Sequence, residues 1–226
     1  MKNSVEDLKI DGSERSAGGK YNSVIINGEG NIDGNLDCTY LKVNGKCEVN
    51  GNIKADSVNI NGSNTIKKNF NAIEFKINGS INVEKDLSAE KIVSRGNTSV
   101  GGDCNAEIFD IKGAFAIGGF LNAGELVLNL YGPSEALDIG GGKITVTKES
   151  KLNFLGLLSL VMPFGRNSAL STNSIEGDDI YLEYTKAKAV RGNNIILGPG
   201  CEIELVEYKD NFKQDDTSEV ETQRKI

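Results

Sequence analysis

Four cysteines are the residues of this 226-residue chain best suited to nucleophilic, redox or metal chemistry. No two of them have the C-x-x-C spacing of redox and zinc motifs, and the chain contains no histidine, the commonest general base and metal ligand. They fall in strand-like apolar patterns, which predicts small buried side chains that stay reduced in a cytoplasm. We therefore expect no catalytic residue, no metal site and no cofactor. The four are Cys38, Cys47, Cys104 and Cys201.

The charge balance limits the partners. Lys and Arg number 25 against 32 Asp and Glu, so the net charge is −7, and no basic stripe is present to meet phosphates. We expect no nucleic-acid partner and no small-molecule substrate. Residues 1–8 lack the apolar core of a secretion signal, and no apolar run reaches the length of a spanning helix. These patterns predict a cytoplasmic protein.

The elements that must position any functional residue come from a 17-residue repeat between residues 24 and 128. Glycines recur at this step, the first four of them preceded by asparagine, and columns of apolar or small residues keep the same register. A fixed step held in several columns is the signature of a solenoid. The glycines are Gly28, Gly45, Gly62, Gly79, Gly96 and Gly113, and the asparagines are Asn27, Asn44, Asn61 and Asn78.

Within one period, apolar residues occur in pairs two positions apart, separated by Asn-Gly and Asp-Ser corners. This alternation is typical of strands with one buried face, and Asn and Gly suit tight bends. Sides of six, six and five residues predict an all-β fold, a right-handed three-sided parallel β-helix with 17-residue turns. We expect the asparagines to stack as an amide ladder along one corner. One period contains the pairs Leu41/Val43, Cys47/Val49 and Ile53/Ala55.

Two other repeat architectures fit the pattern less well. Helical repeats need an apolar period of 3.6 residues, which is absent here. An antiparallel hairpin meander would also use Asn-Gly turns, but it gives no reason for a small residue at one fixed place in every period. That column contains Cys38, Ala55, Ala72, Ala89, Ala106 and Ala123.

The pattern divides the chain into five parts. Residues 1–7 are expected to form a flexible N-terminal arm, residues 8–147 the β-helix core, and residues 148–173 a loop with a short amphipathic helix. Residues 174–208 supply additional strands that extend or cap the β-helix. The polar residues 209–226 predict a disordered tail.

The loop is the candidate for contact with another surface. Ser150 is suited to cap a short helix that Pro163 ends. One interpretation is an apolar lid over the open end of the coil, and the other is a helix that touches a membrane or docks on a partner. The candidate contact residues are Phe154, Leu155, Leu157, Leu158, Val161 and Met162.

The stacked phrases of residues 43–55 and 60–72, Val/Ile-Asn-Gly followed by an apolar residue and then Ala, resemble the bactofilins, bacterial polymer-forming proteins. The resemblance covers roughly residues 8–130, and residues 139–142 and 189–201 look like the longer variant of Gram-positive bacteria. It implies a non-enzymatic cytoskeletal scaffold that polymerises without nucleotide and often lies along the membrane at the cell cortex. Such scaffolds position envelope, cell-shape or motility proteins. The implied partners are copies of itself or a related bactofilin.

Polymerisation is also expected from the fold, because an uncapped β-helix ends in unpaired strand edges that bind another copy. If the polar first turn and the loop cover the ends, the protein is instead a capped monomeric partner protein. A carbohydrate-active β-helix enzyme is a third alternative, although the outward positions of one strand column show no convergent acidic and basic cluster. Those positions are Ile25, Lys42, Asn59, Lys76, Val93, Asp110 and Val127.

Overall fold

The computed structural model describes residues 6–148 and 169–226, and these form twelve β-strands with no helix among them. The alternation of apolar and polar residues gives each strand one buried face. The strands are β1 (Leu8–Ser16), β2 (Gly19–Ile32), β3 (Leu36–Val49), β4 (Ile53–Ile66), β5 (Phe70–Val83), β6 (Leu87–Val100), β7 (Cys104–Leu130), β8 (Ser134–Lys148), β9 (Leu170–Leu182), β10 (Thr185–Leu197), β11 (Glu202–Gln214) and β12 (Glu219–Lys225).

All twelve strands belong to one sheet, in which each pairs in parallel with the strands before and after it in the chain. From β2 to β7 the paired residues are 17 positions apart, as for Val24 with Leu41 and Leu41 with Val58. Each regular turn buries three pairs of alternate residues, in agreement with three sides. The predicted parallel β-helix is confirmed, and its right-handedness stays a prediction. At about 4.8 Å per turn, the coil is roughly 50 Å long.

The Asn-Gly corners bend the strands without interrupting them. Asn44 and Gly45 pair with Asn61 and Gly62, so the ladder continues through the corner. Each regular turn is therefore one bent strand of 14 residues, where the sequence indicated three short ones. Gly45 has φ +134° and Gly62 φ +135°, and a Cβ at Gly62 would overlap the carbonyl oxygen of Gly45. Only glycine fits this corner.

The predicted asparagine ladder is confirmed. Asn44 Nδ2 donates to Asn27 Oδ1 at 2.9 Å, and Asn61 and Asn78 continue the series at 3.1 and 3.2 Å. At its N-terminal end, Asn27 Nδ2 donates to the carboxylate of Asp11 at 2.9 Å. Hydrogen bonds from Lys9 and Asn27 lower the pKa of Asp11. The ladder thus satisfies each corner amide with the same amide of the next turn.

A second ladder at another corner was not predicted. Here a side-chain oxygen in one turn accepts the backbone N–H of the next, as Asn35 Oδ1 does from Asn52 at 2.8 Å. Its signal in the sequence is an Asn or Asp immediately before each of the first five residues of the column that starts at Leu36. The series runs Asn35, Asn52, Asn69, Asp86, Asp103 and ends at the N–H of Phe120.

Stacked columns of apolar side chains form one continuous core along the coil. Phe70 and Phe75 fill it with rings in edge contact, 4.5 Å between centroids. Two buried hydroxyl groups, Ser94 Oγ and Thr98 Oγ1, share a hydrogen bond of 2.9 Å and so satisfy each other. The four cysteines are buried in this core, as predicted.

The step between turns varies outside the regular region, which changes the expected boundaries. Paired residues are 16 positions apart from β1 to β2, 36 from β8 to β9 (Ser134 with Leu170) and 15 from β9 to β10 (Leu170 with Thr185). Lys148 and residues 170–173, expected in the loop, belong to β8 and β9. The expected arm is partly ordered too, because Glu6 O accepts from Asn22 N and Asp7 Oδ1 from Ser23 N.

The disordered tail expected for residues 209–226 is wrong. Residues up to Gln214 belong to β11, and β12 adds a further strand in parallel with it. The step returns to 17 residues here, so that Val220 pairs with Ile203 and Arg224 with Glu207. Few apolar residues mark this turn because it lies at the end of the coil and buries little. A polar composition therefore did not indicate disorder in residues 209–226.

The small column provides a test of the core. Ala55 is 3% exposed and pairs with Cys38 and Ala72 in the turns on either side. We expect Ala55→Leu to overpack this column and to lower the free energy of unfolding by about 1–3 kcal/mol, measured by chemical denaturation. Lys54→Leu, on the exposed face of the same strand, is the control. Equal stability of the two variants would contradict the packed column.

A buried amide provides a second test. Asn64 is 5% exposed, and within the described residues its Nδ2 has no hydrogen-bond partner. It lies between Cys47 and Ile81 in an apolar column. We expect Asn64→Val to raise the free energy of unfolding by roughly 1–3 kcal/mol, since an unsatisfied polar group is removed. The outward neighbour variant Thr65→Val should change it little, and a loss of stability in Asn64→Val would show that the amide is satisfied.

Candidate functional site

The contact residues suggested by the sequence cannot be placed. They all lie in residues 149–168, outside the described residues. Among the described residues, the two ends of the coil are the places where a strand has a neighbour on one side only. The contact residues that the sequence suggested, and that lie outside the described residues, are Phe154, Leu155, Leu157, Leu158, Val161 and Met162.

The N-terminal end consists of β1, which pairs with β2 on one side. Leu8 is half-buried and Ile10 is buried, and they begin the two core columns that continue as Val24 and Ile26. Farther along β1, the position that pairs with buried Gly30 is Glu14, which is exposed. This end is therefore apolar on one side of the coil and charged on the next.

The C-terminal end is formed by β12 and the last residues of β11. Several columns that are apolar in preceding turns end there in polar residues. Gln214 follows Leu197, and Gln223 follows Val206. Five of the seven residues of β12 are acidic, basic or amide side chains that are exposed, and Val220 is half-buried against the core. The core is closed by polar groups on this side.

Ser218 fixes the start of the last turn. It is 5% exposed, its Oγ accepts from Cys201 N at 2.8 Å, and the same hydroxyl donates to Gly198 O at 2.6 Å. The tight turn before it is held by Asp215, whose Oδ1 accepts from the N–H and hydroxyl of Thr217 at 2.9 and 2.6 Å. These two hydrogen bonds lower the pKa of Asp215.

Glu207 fixes the other end of β12. It is 6% exposed, and its carboxylate accepts from Arg191 Nε at 2.6 Å and from Arg224. Arg191 also donates to Glu176 Oε1 at 2.9 Å, so one row of ion pairs joins β9, β10, β11 and β12. A buried carboxylate is costly unless it is paired and hydrogen-bonded. Removing Arg224 therefore costs more here than breaking an exposed pair such as Lys186–Glu202.

Sequence reasoning missed Ser218, Glu207 and Arg224 because it read their turn as a tail. A signal was present. Ile203 and Val220 are 17 residues apart, as are Glu207 and Arg224, which is the step of the repeat. Two such coincidences are too few to show a turn without the apolar columns that the regular region supplies.

A surface depression beside a corner of β5, β6 and β7 has a volume of about 1050 Å³. Tyr131, Gly132 and Pro133 form one wall, and Tyr131 is 41% exposed. The charged residues of its lining are Arg95, which is bound bidentately to Asp110, and Lys112. The lining contains no carboxylate, and so it lacks the acid–base pair of carbohydrate-cleaving sites. The rest is Ser80, Ile81, Asn82, Gly96, Asn97, Thr98, Ser99, Gly113, Ala114, Phe115 and Ala116.

Within residues 6–148 and 169–226, no group of three or more acidic residues and cysteines is placed to hold a metal ion. Likewise, the part of the chain with assigned structure has no helix long and apolar enough to cross a membrane. Burial raises the pKa of Cys38 to about 11 and that of Cys47 to about 12. Burial also raises the pKa of Cys104 and Cys201.

Two curated proteins of Bacillus subtilis (strain 168) are similar to part of this chain. The uncharacterized protein YhbE is 43% identical over 107 residues, which cover 47% of this chain and 43% of YhbE. The uncharacterized protein YhbF is 36% identical over 108 residues, which cover 47% of this chain and 41% of YhbF. The aligned region thus spans less than half of each relative. No family model and no solved structure matches the chain.

The cysteines give a prediction about reactivity. A thiol reacts as the thiolate, and burial disfavours the thiolate in the folded protein. We expect iodoacetamide at pH 8 to leave the native protein unmodified and to label all four cysteines after denaturation, as read by mass spectrometry. The protonated state of the buried thiols also stabilises the folded protein. This contribution to the free energy of unfolding is complete below the ordinary thiol pKa of 9.0 and is lost as the pH rises toward 11 to 12. Labelling of the native protein would show that the core opens locally.

Proposed function

We propose that this protein is a non-enzymatic bacterial scaffold of the bactofilin kind, which assembles through the ends of its β-helix without nucleotide. The observation that carries the proposal is the architecture of one parallel sheet that is continuous along the whole coil. In such a coil the terminal strands present backbone N–H and C=O groups that another strand can bind. A contact between ends that does not close on itself builds a filament.

The distribution of functional groups supports a structural role. Charged residues are used to join neighbouring turns, as in Lys46 with Glu29 at 3.1 Å and Lys67 with Glu84 at 2.9 Å. The cysteines are enclosed in the core, and no carboxylate lines the depression beside Tyr131 among the described residues. The resemblance of residues 43–55 and 60–72 to bactofilins gives the proposal its cellular setting, with envelope, cell-shape or motility proteins as clients and the cytoplasmic face of the membrane as the location.

A capped monomeric partner protein is the second candidate. The polar ends of the core columns favour it, since Gln214, Gln223 and exposed Glu14 occupy positions that are apolar or enclosed in the neighbouring turns. Such a protein would bind a related β-helix at one end and stop its growth. The two candidates differ in whether the purified chain assembles by itself.

Electron microscopy of the purified protein, without nucleotide and over a range of salt concentrations, separates the two candidates. We expect filaments or sheets whose thickness is that of one or a few coils. Leu8→Glu should shorten or abolish them, because it places a charge on the half-buried apolar side of the N-terminal edge. Lys54→Glu, on an exposed lateral face, is the matched control.

Single rods roughly 50 Å long under all conditions, in the wild type and in Ser218→Ala, which loses the side-chain hydrogen bonds at the start of β12, would overturn the scaffold proposal. Equal shortening by Leu8→Glu and Lys54→Glu would show that the contacts are lateral.

A further inference from the structure

We propose that residues 215–225 are a removable cap, locked by Ser218 and Glu207, that keeps the C-terminal end of the coil from binding a second copy. The proposal rests on the proposed function, because the second copy is the partner that the cap excludes. Its subject is the turn Asp215 to Ser218 together with β12, here called the closing segment.

The closing segment has the features by which proteins block a strand edge. β12 is short, seven residues, and four of them are charged, namely Glu219, Glu221, Arg224 and Lys225. Its side chains are exposed apart from half-buried Val220. Short edge strands rich in charge discourage pairing with another chain. β12 thus covers the first half of the β11 edge, from Glu202 to Tyr208, and offers a poor edge of its own.

The surface beneath the closing segment is of the opposite kind. Ile203 and Val206 are 2% and 0% exposed, and they pair with Val220 and Gln223 of β12. Tyr208 and Phe212, stacked at 5.5 Å between ring centroids, lie partly buried against the core. Release of the closing segment would uncover Ile203 and Val206 together with the backbone groups of Glu202 to Tyr208. These residues would then join residues 209–214, which do not pair with β12, in one strand edge of 13 residues, β11. An apolar strand edge of this length binds another strand.

The closing segment is attached mainly at its two ends. At one end the buried hydroxyl of Ser218 bridges Cys201 N and Gly198 O. At the other end Arg224 binds the buried carboxylate of Glu207, which Arg191 also holds. Between these two attachments the segment contributes one half-buried apolar side chain and a backbone ladder. Loss of either attachment therefore loosens a defined unit at the end of the coil.

The test compares Arg224→Gln and Ser218→Ala with the wild type and with Lys225→Gln, a control on the same strand whose residue is exposed. Hydrogen exchange of the full chain, read by mass spectrometry, should be about tenfold faster in residues 215–226 for both variants, because a buried polar partner is removed. Lys225→Gln should exchange like the wild type. Ser218→Ala leaves all charges unchanged, and so it separates unlocking from a change in net charge.

Assembly is measured on the same samples by sedimentation velocity and electron microscopy. We expect both unlocking variants to assemble at a concentration at least about tenfold lower than the wild type and the control, in step with their faster exchange. Faster exchange without stronger assembly would overturn the cap, and so would weaker assembly, which would identify β12 itself as the binding edge. Unchanged exchange would show that Ser218 and Glu207 are not the lock.

The failure of the cap and the failure of the scaffold proposal have different signatures. If the wild type assembles as strongly as the unlocking variants, the C-terminal end is not blocked and the scaffold proposal stands. If Leu8→Glu also leaves the assembly of the unlocking variants unchanged, the N-terminal edge takes no part in it. If neither the wild type nor any variant assembles, the proposed function fails, whatever the exchange rates of the closing segment.

Discussion

Each turn of this coil is covered only by the turns next to it, and that dependence governs the rest of the structure. A side chain that points inward packs against the side chains at the same position in the turn before and the turn after. Side chains that occupy the same position in successive turns must therefore fit together. The step of 17 residues between β2 and β7 is the direct expression of this constraint. The corner glycines obey it too, since their carbonyl oxygens occupy the space where the next turn would need a Cβ. The columns of side chains that run along the coil therefore determine which residues each strand can contain.

The same dependence explains what the sequence could and could not predict. Wherever the columns are apolar, as in Val24, Leu41 and Val58, the repeat identified the fold, the asparagine ladder and the burial of the cysteines. The turn formed by residues 209–226 was not predicted, because polar residues such as Gln214 and Gln223 take the places of apolar ones in its columns. The row of ion pairs through Glu207 has no periodic signature beyond one step. The contact role suggested for residues of the loop stays a prediction, because those residues lie outside the described part of the chain.

In the proposed assembly the two ends of the coil make the contacts, because the polar backbone groups of the inner turns are already paired with the neighbouring turns. The N-terminal edge pairs a half-buried Leu8 with a charged Glu14, and the C-terminal turn replaces apolar columns by amides and hydroxyls. The similarity to YhbE and YhbF covers less than half of each of those proteins, and so it describes a shared portion of chain. A scaffold and a growth-stopping partner can therefore share the same coil and differ in a few terminal residues.

The long step between β8 and β9 has a consequence for how the coil can be modified. Ser134 pairs with Leu170 and Val146 with Leu182, both at a separation of 36 residues, and the ladder on either side is undisturbed. Chain length at this corner is therefore uncoupled from the register of the sheet, in contrast to every position inside a column. We therefore expect a folded domain inserted between Lys148 and Leu170 to leave the pairing of β8 with β9 intact. Residues that recognise another molecule could be inserted here while the pairing of β8 with β9 stays unchanged.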